Sequence, residues 1–223
     1  MMKKNILLMM LMMVFGSMNL FGQDSMTAMV SKNKMVSDTD AAKSALNVGA
    51  KMPSFELLDS NKKTVKSDDL LKKGNLVLVF YRGAWCPFCN LYLKNLQKNL
   101  GEIQSNGGVL TAISVENADT SMTVSKKNEL NFSVLSDPKL ETARKFKIVY
   151  QLPDATNEKY KTYGVDLVKQ NETETPDLPL SATYIVNQKG EIVYAFLEPD
   201  YKKRAEPAKI IEVLKTLNKS MKK

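Results

Sequence analysis

The two cysteines of the chain, Cys86 and Cys89, are the residues whose types and spacing could do chemistry. They lie in the stretch Trp-Cys-Pro-Phe-Cys at residues 85–89, and the 223-residue chain has no histidine. Two thiols three residues apart can close into a disulfide, which then accepts two electrons from another dithiol. Catalysis by a Cys-His or Ser-His-Asp arrangement is excluded because it needs an imidazole base. Redox chemistry at this pair is therefore the leading interpretation.

The composition bears on several other kinds of function. Two cysteines without histidine cannot fill the four positions of a common zinc site, so we expect neither a metal nor an organic cofactor. The net charge is +8, but the basic residues are not interleaved with the aromatic residues on which nucleic-acid bases would stack. We therefore expect the lysines to form a solvated surface and predict no nucleic-acid partner.

The position of the two cysteines is more specific than their spacing. The apolar run 76–81 predicts a strand buried on both faces, and an amphipathic helix follows it. Pro87 suits the first helical position, so that Cys86 is the N-cap residue. Backbone N–H groups and the helix dipole there favour a thiolate and can lower a thiol pKa from ~8.5 to ~7 or below. We predict that Cys86 attacks and that Cys89, one turn further on, resolves the mixed disulfide.

A purely structural role for the two cysteines is the alternative. A disulfide across so short a loop stabilises a fold by about 2 kcal/mol, against ~3 for a loop of fifteen residues, so this is a poor place for a stabilising crosslink. Two inert core cysteines would not need a helix-opening proline between them. The strand-to-helix context therefore favours the redox interpretation.

Three further residues are candidates for a supporting role. Trp85 precedes the pair and could shield one face of it, although packing alone explains it equally well. Arg82 could stabilise a thiolate, or it could pair with an acid such as Asp59 or Glu116. Pro179 could bring backbone close to the disulfide, or it could simply end a loop.

The order of predicted elements indicates a three-layer α/β domain with a central mixed sheet. We predict strands at 55–59, 76–81, 109–115 and 132–135 and a hairpin of 183–186 with 191–196. We predict helices from Ser67, which would cap its own helix, along 89–103, and at 119–130, 138–147 and 207–219. The domain should span 48–219, and segment 148–180 fits this pattern poorly, so we expect it to be a surface insertion.

The N-terminus has the features of an export signal. A basic start is followed by the apolar run 6–15 and by small residues near Gly22, which predicts a signal peptide at 1–22 and a polar segment at 23–47. The run is shorter than the roughly 18 residues of a spanning helix, so we expect no stable membrane insertion, with an uncleaved anchor as the alternative. We expect an exported protein, periplasmic or extracellular, in a compartment that permits disulfides.

Residues 80–89, Phe-Tyr-Arg-Gly-Ala-Trp-Cys-Pro-Phe-Cys, resemble the peroxiredoxin-like branch of the thioredoxin-fold superfamily, also called alkyl hydroperoxide reductase/thiol-specific antioxidant. The Trp-Cys-x-x-Cys core is also similar to thioredoxin. The element order agrees with that family over 48–217. The resemblance implies a thioredoxin-like fold and an antioxidant-type redox activity.

The chain departs from the peroxiredoxin pattern at two supports of peroxide activation. Peroxiredoxins carry Pro-x-x-x-Thr-x-x-Cys and a distant arginine. With their peroxidatic cysteine on Cys89, Cys86 takes the threonine position and Arg82 the proline position, and the arginine aligns near Ser181. These differences favour dithiol exchange over peroxide reduction. Another alignment gives the peroxidatic role to Cys86, and the sequence does not choose between them.

Three functional hypotheses follow. The first is a thiol–disulfide oxidoreductase acting on a protein or small-molecule disulfide or thiol, with a reductant that the sequence does not identify. The second is a thiol peroxidase, in which one cysteine forms a sulfenic acid from a hydroperoxide and the other condenses with it. The third is a non-catalytic binding domain that keeps the fold and uses 148–180 as its surface.

Overall fold

The computed structural model describes residues 35–221, in which nine strands form two sheets. The strands are β1 (Glu56–Asp59), β2 (Thr64–Lys66), β3 (Asn75–Tyr81), β4 (Gly108–Ser114), β5 (Ser133–Ser136), β6 (Val149–Gln151), β7 (Asp177–Pro179), β8 (Thr183–Val186) and β9 (Ile192–Phe196). Seven of them form the main sheet, in the order β2-β1-β5-β4-β3-β8-β9, and β6 pairs with β7 in a small sheet. Since β3 pairs parallel with β4 and antiparallel with β8, the main sheet is mixed, as predicted.

The helices connect these strands in the alternating order expected of an α/β domain. They are α1 (Asp38–Ser44), α2 (Ser67–Lys73), α3 (Pro87–Lys98), α4 (Leu100–Ser105), α5 (Ala118–Lys127), α6 (Glu141–Lys145), α7 (Asp154–Thr162), α8 (Leu167–Asn171) and α9 (Pro207–Met221), and a 3₁₀ turn spans Pro138–Leu140. Within residues 35–221, no helix combines the length and the apolar character that crossing a bilayer requires.

Strand β3 divides the core because its side chains alternate between the two faces of the sheet. Val77 and Val79 pack on one face with residues of α3, α4 and α9, whereas Leu76, Leu78 and Phe80 pack on the other with residues of α2 and α6. Every residue of β3 is buried, as its continuous apolar run predicts. The three-layer arrangement is confirmed, and the strand before the cysteines lies in its middle.

Two local predictions were wrong and one strand was missed. The helix predicted along 89–103 is broken at Asn99, which has φ −100° and ψ 3° and donates its side-chain N–H to the Asn95 carbonyl. Asparagine competes in this way with the helical backbone. Helix α2 has Lys66 as its N-cap, because the Ser67 hydroxyl accepts the Phe55 N–H instead. Strand β2 was not predicted, since three residues are too few to show a period.

Segment 148–180 is packed into the main core, whereas we expected an insertion on the surface. Leu167 and Leu178 are fully buried, and Tyr150 is 7% exposed. All three belong to the same hydrophobic cluster as the β3 side chains Leu76 and Leu78. None of the helices and strands in this segment exceeds nine residues, and acidic and polar residues separate the apolar ones. The segment therefore shows too little hydrophobic periodicity for its elements to be predicted.

The predicted signal peptide at 1–22 lies outside the described residues, as does 23–34 of the polar segment. The remainder of that segment contains helix α1, whose N-cap Ser37 accepts the Asp40 N–H at 3.1 Å. Ala41 of this helix is buried in the main core. The domain boundary at residue 48 remains a prediction. Helix α1, which precedes it, packs against the main core.

Candidate active site

The dithiol lies where β3 ends and α3 begins. Cys86 is the N-cap residue of α3, with extended backbone angles of φ −86° and ψ 109°, and Pro87 is the first helical residue. Cys89 follows one turn later, and each cysteine is 1% exposed. Both are free thiols, with their sulfur atoms 2.6 Å apart and the Cys89 S–H donating to Cys86. The local geometry predicted for Cys86 and Pro87 is thus observed.

The two thiols differ in their electrostatic surroundings. The hydrogen bond from the Cys89 thiol lowers the pKa of Cys86 to about 6, with smaller support from the Cys89 backbone N–H and from the charges of Arg82 and Arg204, against the cost of burial. Burial, followed by the interaction with Cys86, raises the pKa of Cys89 well above its ordinary value. Because the thiolate is the nucleophile, these directions support an attacking Cys86 and a resolving Cys89. The roles themselves remain a prediction.

Arg82 is enclosed by aromatic rings. It is 2% exposed, and its guanidinium carbon lies 4.1 Å from the ring centroid of Tyr201 and 4.9 Å from that of Trp85. Its Nη2 donates to the Tyr160 hydroxyl at 2.7 Å. Aromatic faces attract a guanidinium, the more strongly when water is excluded. Tyr160 on α7 and Tyr201 before α9 were not predicted, since both lie far from the cysteines in sequence.

Neither of the acids suggested as partners of Arg82 forms an ion pair with it. Asp59 accepts backbone N–H groups of its own turn, and Glu116 accepts the Ala84 N–H. Among residues 35–221, no ion pair includes Arg82. Of the two roles considered for this residue, stabilising the Cys86 thiolate is the one supported, because the charge of Arg82 lowers the pKa of Cys86.

Trp85 and Pro179 differ in how they relate to the dithiol. Trp85 packs against the buried cluster that contains Cys86 and Cys89, and its ring lies 5.3 Å from that of Tyr160. Pro179 pairs with Val149 in the small sheet, and in the described chain no hydrogen bond joins it to either cysteine. The role predicted for Pro179 therefore has no support from hydrogen bonding.

A buried carboxyl group lies beside the loop that carries the cysteines. Glu116 follows β4, is 6% exposed, and its Oε2 accepts the Ala84 N–H at 2.8 Å. Burial raises the pKa of Glu116 to about 7, the Ala84 N–H opposes this, and the charge of Cys86 adds to it. Among residues 35–221, it forms no ion pair. The sequence indicated Glu116 only as a possible partner of Arg82.

Two asparagines hold the same loop from its other side. The side-chain amide of Asn90 donates to the Ala84 carbonyl at 2.7 Å and to the Cys86 carbonyl at 3.2 Å. Asn128, at the end of α5, donates to the Asn90 side-chain oxygen at 2.9 Å. Together with Glu116, these bonds fix the backbone on both sides of Ala84, which sets where the Cys86 sulfur lies.

An arginine from the C-terminal part of the chain reaches the second cysteine. Nη2 of Arg204 donates to the Cys89 sulfur at 3.5 Å. We predicted a solvated surface for the lysines of the chain and no role for Arg204. Ser181, near the position where the family's arginine aligns, is 4% exposed, and its hydroxyl has no hydrogen-bond partner among residues 35–221. The serine near that position was the one feature of the sequence that could have prompted a search for an arginine elsewhere in the chain.

Comparisons with known proteins agree on a family. The model of the AhpC/TSA family matches residues 48–195. A "putative peroxiredoxin bcp" of Haemophilus influenzae is 28% identical over 77% of this chain and 98% of its own, and one of Helicobacter pylori is 27% identical over 76% and 98%. The crystal structure of peroxidoxin BcpB from Mycobacterium tuberculosis superposes with a TM-score of 0.63 at 17% identity, covering 77% of this chain and 98% of that one. The predicted thioredoxin-like fold is thereby confirmed.

Proposed function

The chain belongs to the AhpC/TSA family and is a peroxiredoxin-like thiol oxidoreductase, and from this premise we propose that it catalyses thiol–disulfide exchange through Cys86 and Cys89. The observation that carries the proposal is the asymmetric dithiol. Two sulfurs in contact at a helix N-terminus have pKa values shifted in opposite directions. A nucleophile that is ionised near neutral pH, with a protonated partner beside it, suits a two-step exchange.

The reaction balances without a cofactor. The Cys86 thiolate attacks a substrate disulfide, which forms a mixed disulfide and releases one substrate thiolate. Cys89 loses its proton to that leaving thiolate and attacks the Cys86 sulfur, which releases the second substrate thiolate. The substrate gains two electrons and the protein disulfide forms; a dithiol reductant then restores the pair by the reverse steps.

A thiol peroxidase is the second candidate, and both the peroxiredoxin relatives and one contact support it. In one of the two alignments Cys89 takes the place of the family's peroxidatic cysteine, and Nη2 of Arg204 lies 3.5 Å from its sulfur. An arginine there could stabilise charge on a hydroperoxide oxygen. In that reaction one cysteine takes the terminal oxygen as a sulfenic acid and releases an alcohol or water, and the other cysteine condenses with it to the same disulfide, releasing water.

Turnover with two substrates tests these candidates. We expect the wild-type protein to reduce a disulfide substrate, such as oxidised glutathione with a dithiol donor, faster than it reduces hydrogen peroxide. Cys86→Ser should abolish the reaction, and Cys89→Ser should react once and stop at the mixed disulfide, which mass spectrometry of the trapped protein detects. Circular dichroism serves as the folding control for both variants.

A faster reduction of hydrogen peroxide than of the disulfide substrate would favour the thiol peroxidase over thiol–disulfide exchange. Fast peroxide consumption with slow disulfide reduction assigns the peroxidase reaction. A mixed disulfide trapped on Cys89 in Cys86→Ser, with none on Cys86 in Cys89→Ser, would reverse the two roles.

We also propose that the protein is exported. The proposal is supported by the basic start, the apolar run at 6–15 and the small residues that follow it. Expression of the full chain in a Gram-negative host should give a periplasmic product whose N-terminus, by mass spectrometry, begins near residue 23. A full-length product retained in the cytoplasm would contradict export.

A further inference from the structure

We propose that Arg204 is a catalytic residue of the resolving step, in which its guanidinium stabilises the thiolate of Cys89 as that sulfur attacks the mixed disulfide on Cys86. This inference rests on the thiol–disulfide exchange proposed above. Both arginines of the site favour the thiolate of the attacking Cys86, and Arg204 is the one whose guanidinium contacts the resolving sulfur.

The guanidinium of Arg204 is held in place by groups other than the cysteines. Its Nη1 donates to the backbone carbonyl of Tyr201 and, at 2.7 Å, to that of Lys203. Its central carbon lies 5.7 Å from the ring centroid of Tyr92, a residue of α3. With these two carbonyl acceptors and the Tyr92 ring fixing the plane of the guanidinium, Nη2 donates to the Cys89 sulfur at 3.5 Å. The contact therefore belongs to a positioned cation, not to a freely rotating side chain.

The charge of Arg204 is not neutralised by an acid in the described chain. Carboxylates pair with lysines or with Arg144 in every ion pair among residues 35–221, and Arg204 is in none of them. A partly buried guanidinium without a carboxylate favours a negative charge at whatever atom it contacts. Here that atom is the Cys89 sulfur, which is 1% exposed and thus poorly solvated by water.

The resolving step needs this charge because of what burial does to Cys89. In the reduced protein, burial and the neighbouring Cys86 thiolate raise the pKa of Cys89, and Arg204 acts in the opposite direction. Formation of the mixed disulfide removes the negative charge from Cys86, and Cys89 then gives its proton to the substrate thiolate that has left. Only burial still opposes the Cys89 thiolate at that point, and Arg204 is the cation that contacts it.

A neutral aromatic disulfide, dithiodipyridine, separates the two steps in a stopped-flow experiment. Attack by reduced Cys86 releases one equivalent of the coloured thione, and resolution by Cys89 releases a second. The neutral probe avoids any change in encounter rate when a positive charge is removed. Cys89→Ser should show the first phase alone, which identifies the two phases.

We expect Arg204→Gln to leave the first phase within about threefold of the wild-type rate and to slow the second at least about tenfold, since each pKa unit removes a factor of about ten in thiolate. Arg204→Lys should retain part of the second rate, because it keeps the charge. Raising the pH should rescue the second phase of Arg204→Gln as Cys89 ionises. Lys202→Gln is the matched control, because it removes an exposed positive charge from the same loop and should change neither phase.

Three outcomes would overturn the inference. The second phase of Arg204→Gln could equal that of the wild type, both phases could slow equally, or raised pH could fail to rescue a slow second phase. A purely structural role would lower the melting temperature without selecting one phase. If the wild-type protein released no thione, or if Cys89→Ser were inert while Cys86→Ser reacted, the proposed function itself would fail, which is a different result.

Discussion

Cys86 and Glu116 are two acidic groups of one buried site, and the Cys86 thiolate makes Glu116 harder to ionise. The Cys86 thiolate raises the pKa of Glu116, and the two groups are linked through the Ala84 loop, whose N–H binds the carboxylate. Tyr81 is the third titratable group nearby, and its pKa is raised first by burial and then by Glu116. In a chain without histidine, Glu116 thus titrates near neutral pH, as Cys86 does.

Replacing Glu116 by glutamine should leave the pKa of Cys86 close to its wild-type value, because Glu116, with a pKa of about 7, is mostly protonated at the pH where Cys86 ionises. The glutamine oxygen can still accept the Ala84 N–H, so the variant removes the charge and keeps the bond. The ultraviolet absorbance of the thiolate, followed against pH, measures the Cys86 titration. Glu212→Gln, on the exposed face of α9, should behave like the wild type. A Cys86 pKa lowered by about half a unit or more in Glu116→Gln would show that Glu116 ionises before Cys86 and would contradict this order of ionisation.

The same substitution should change stability in a pH-dependent way. The pKa of Glu116 is raised on folding, so the folded state binds its proton more tightly and the wild type loses stability as pH rises from about 4.5 to about 7. Glutamine carries no charge at any pH, so Glu116→Gln does not lose stability in this way. Relative to the wild type, its free energy of unfolding should be little changed at about pH 4 and higher by up to about 3 kcal/mol at about pH 8. Urea unfolding at several pH values measures it, and a constant difference would contradict the assignment.

The connection between β3 and α3 sets the site at the scale of elements, and Gly83 is its most constrained position. Gly83 has φ +145°, and a methyl group on it would lie 2.5 Å from Nε1 of Trp85 and 3.0 Å from Oε1 of Glu116. Both neighbours touch the dithiol cluster or its loop. The absence of a side chain at this position is therefore what allows Trp85 and Glu116 to approach the cysteines together.

Gly83→Ala should lower the free energy of unfolding by about 1–3 kcal/mol, because the backbone conformation is strained for alanine and Trp85 must move. It should also alter the pKa of Cys86, measured by thiolate absorbance. Gly101→Ala is the matched control, since Gly101 lies in α4 with open space around it, and alanine there should stabilise the protein by about 0.5 kcal/mol. Equal effects of the two substitutions would show that Gly83 does not constrain the site.

The sequence predicted those elements whose residues carry a local pattern. The apolar run of β3, the glycine turn between β8 and β9, and the proline at the start of α3 were all found in this way. It did not predict the contacts of Arg204 and Tyr160 or the hydrogen bond from Ala84 to Glu116. Each of these contacts joins segments that are distant in the sequence, and such a contact produces no local pattern of residues. Two cysteines without histidine located the site, and only the fold showed which charges surround them.

At the scale of the whole molecule, segment 148–180 links the core to the active site. Its apolar residues pack beneath the sheet, and Tyr160 of α7 binds the Arg82 guanidinium through its hydroxyl. Asp177 of β7 pairs with Arg144 of α6, which joins the small sheet to the helices of the main domain. A segment that adds to the core and also places a ring beside Arg82 contributes both to stability and to the site.

Leu178→Ala should therefore lower the free energy of unfolding by about 2–5 kcal/mol, the usual range for removing a fully buried leucine side chain from a packed core. Tyr163→Ala, in the same segment but with Tyr163 70% exposed, should change it by no more than about 0.5 kcal/mol. Urea unfolding followed by circular dichroism compares the two. A small loss in both variants would mean that 148–180 is a peripheral insertion after all, whereas a large loss in Leu178→Ala alone, in a single cooperative transition, makes it part of the folding unit that carries the dithiol.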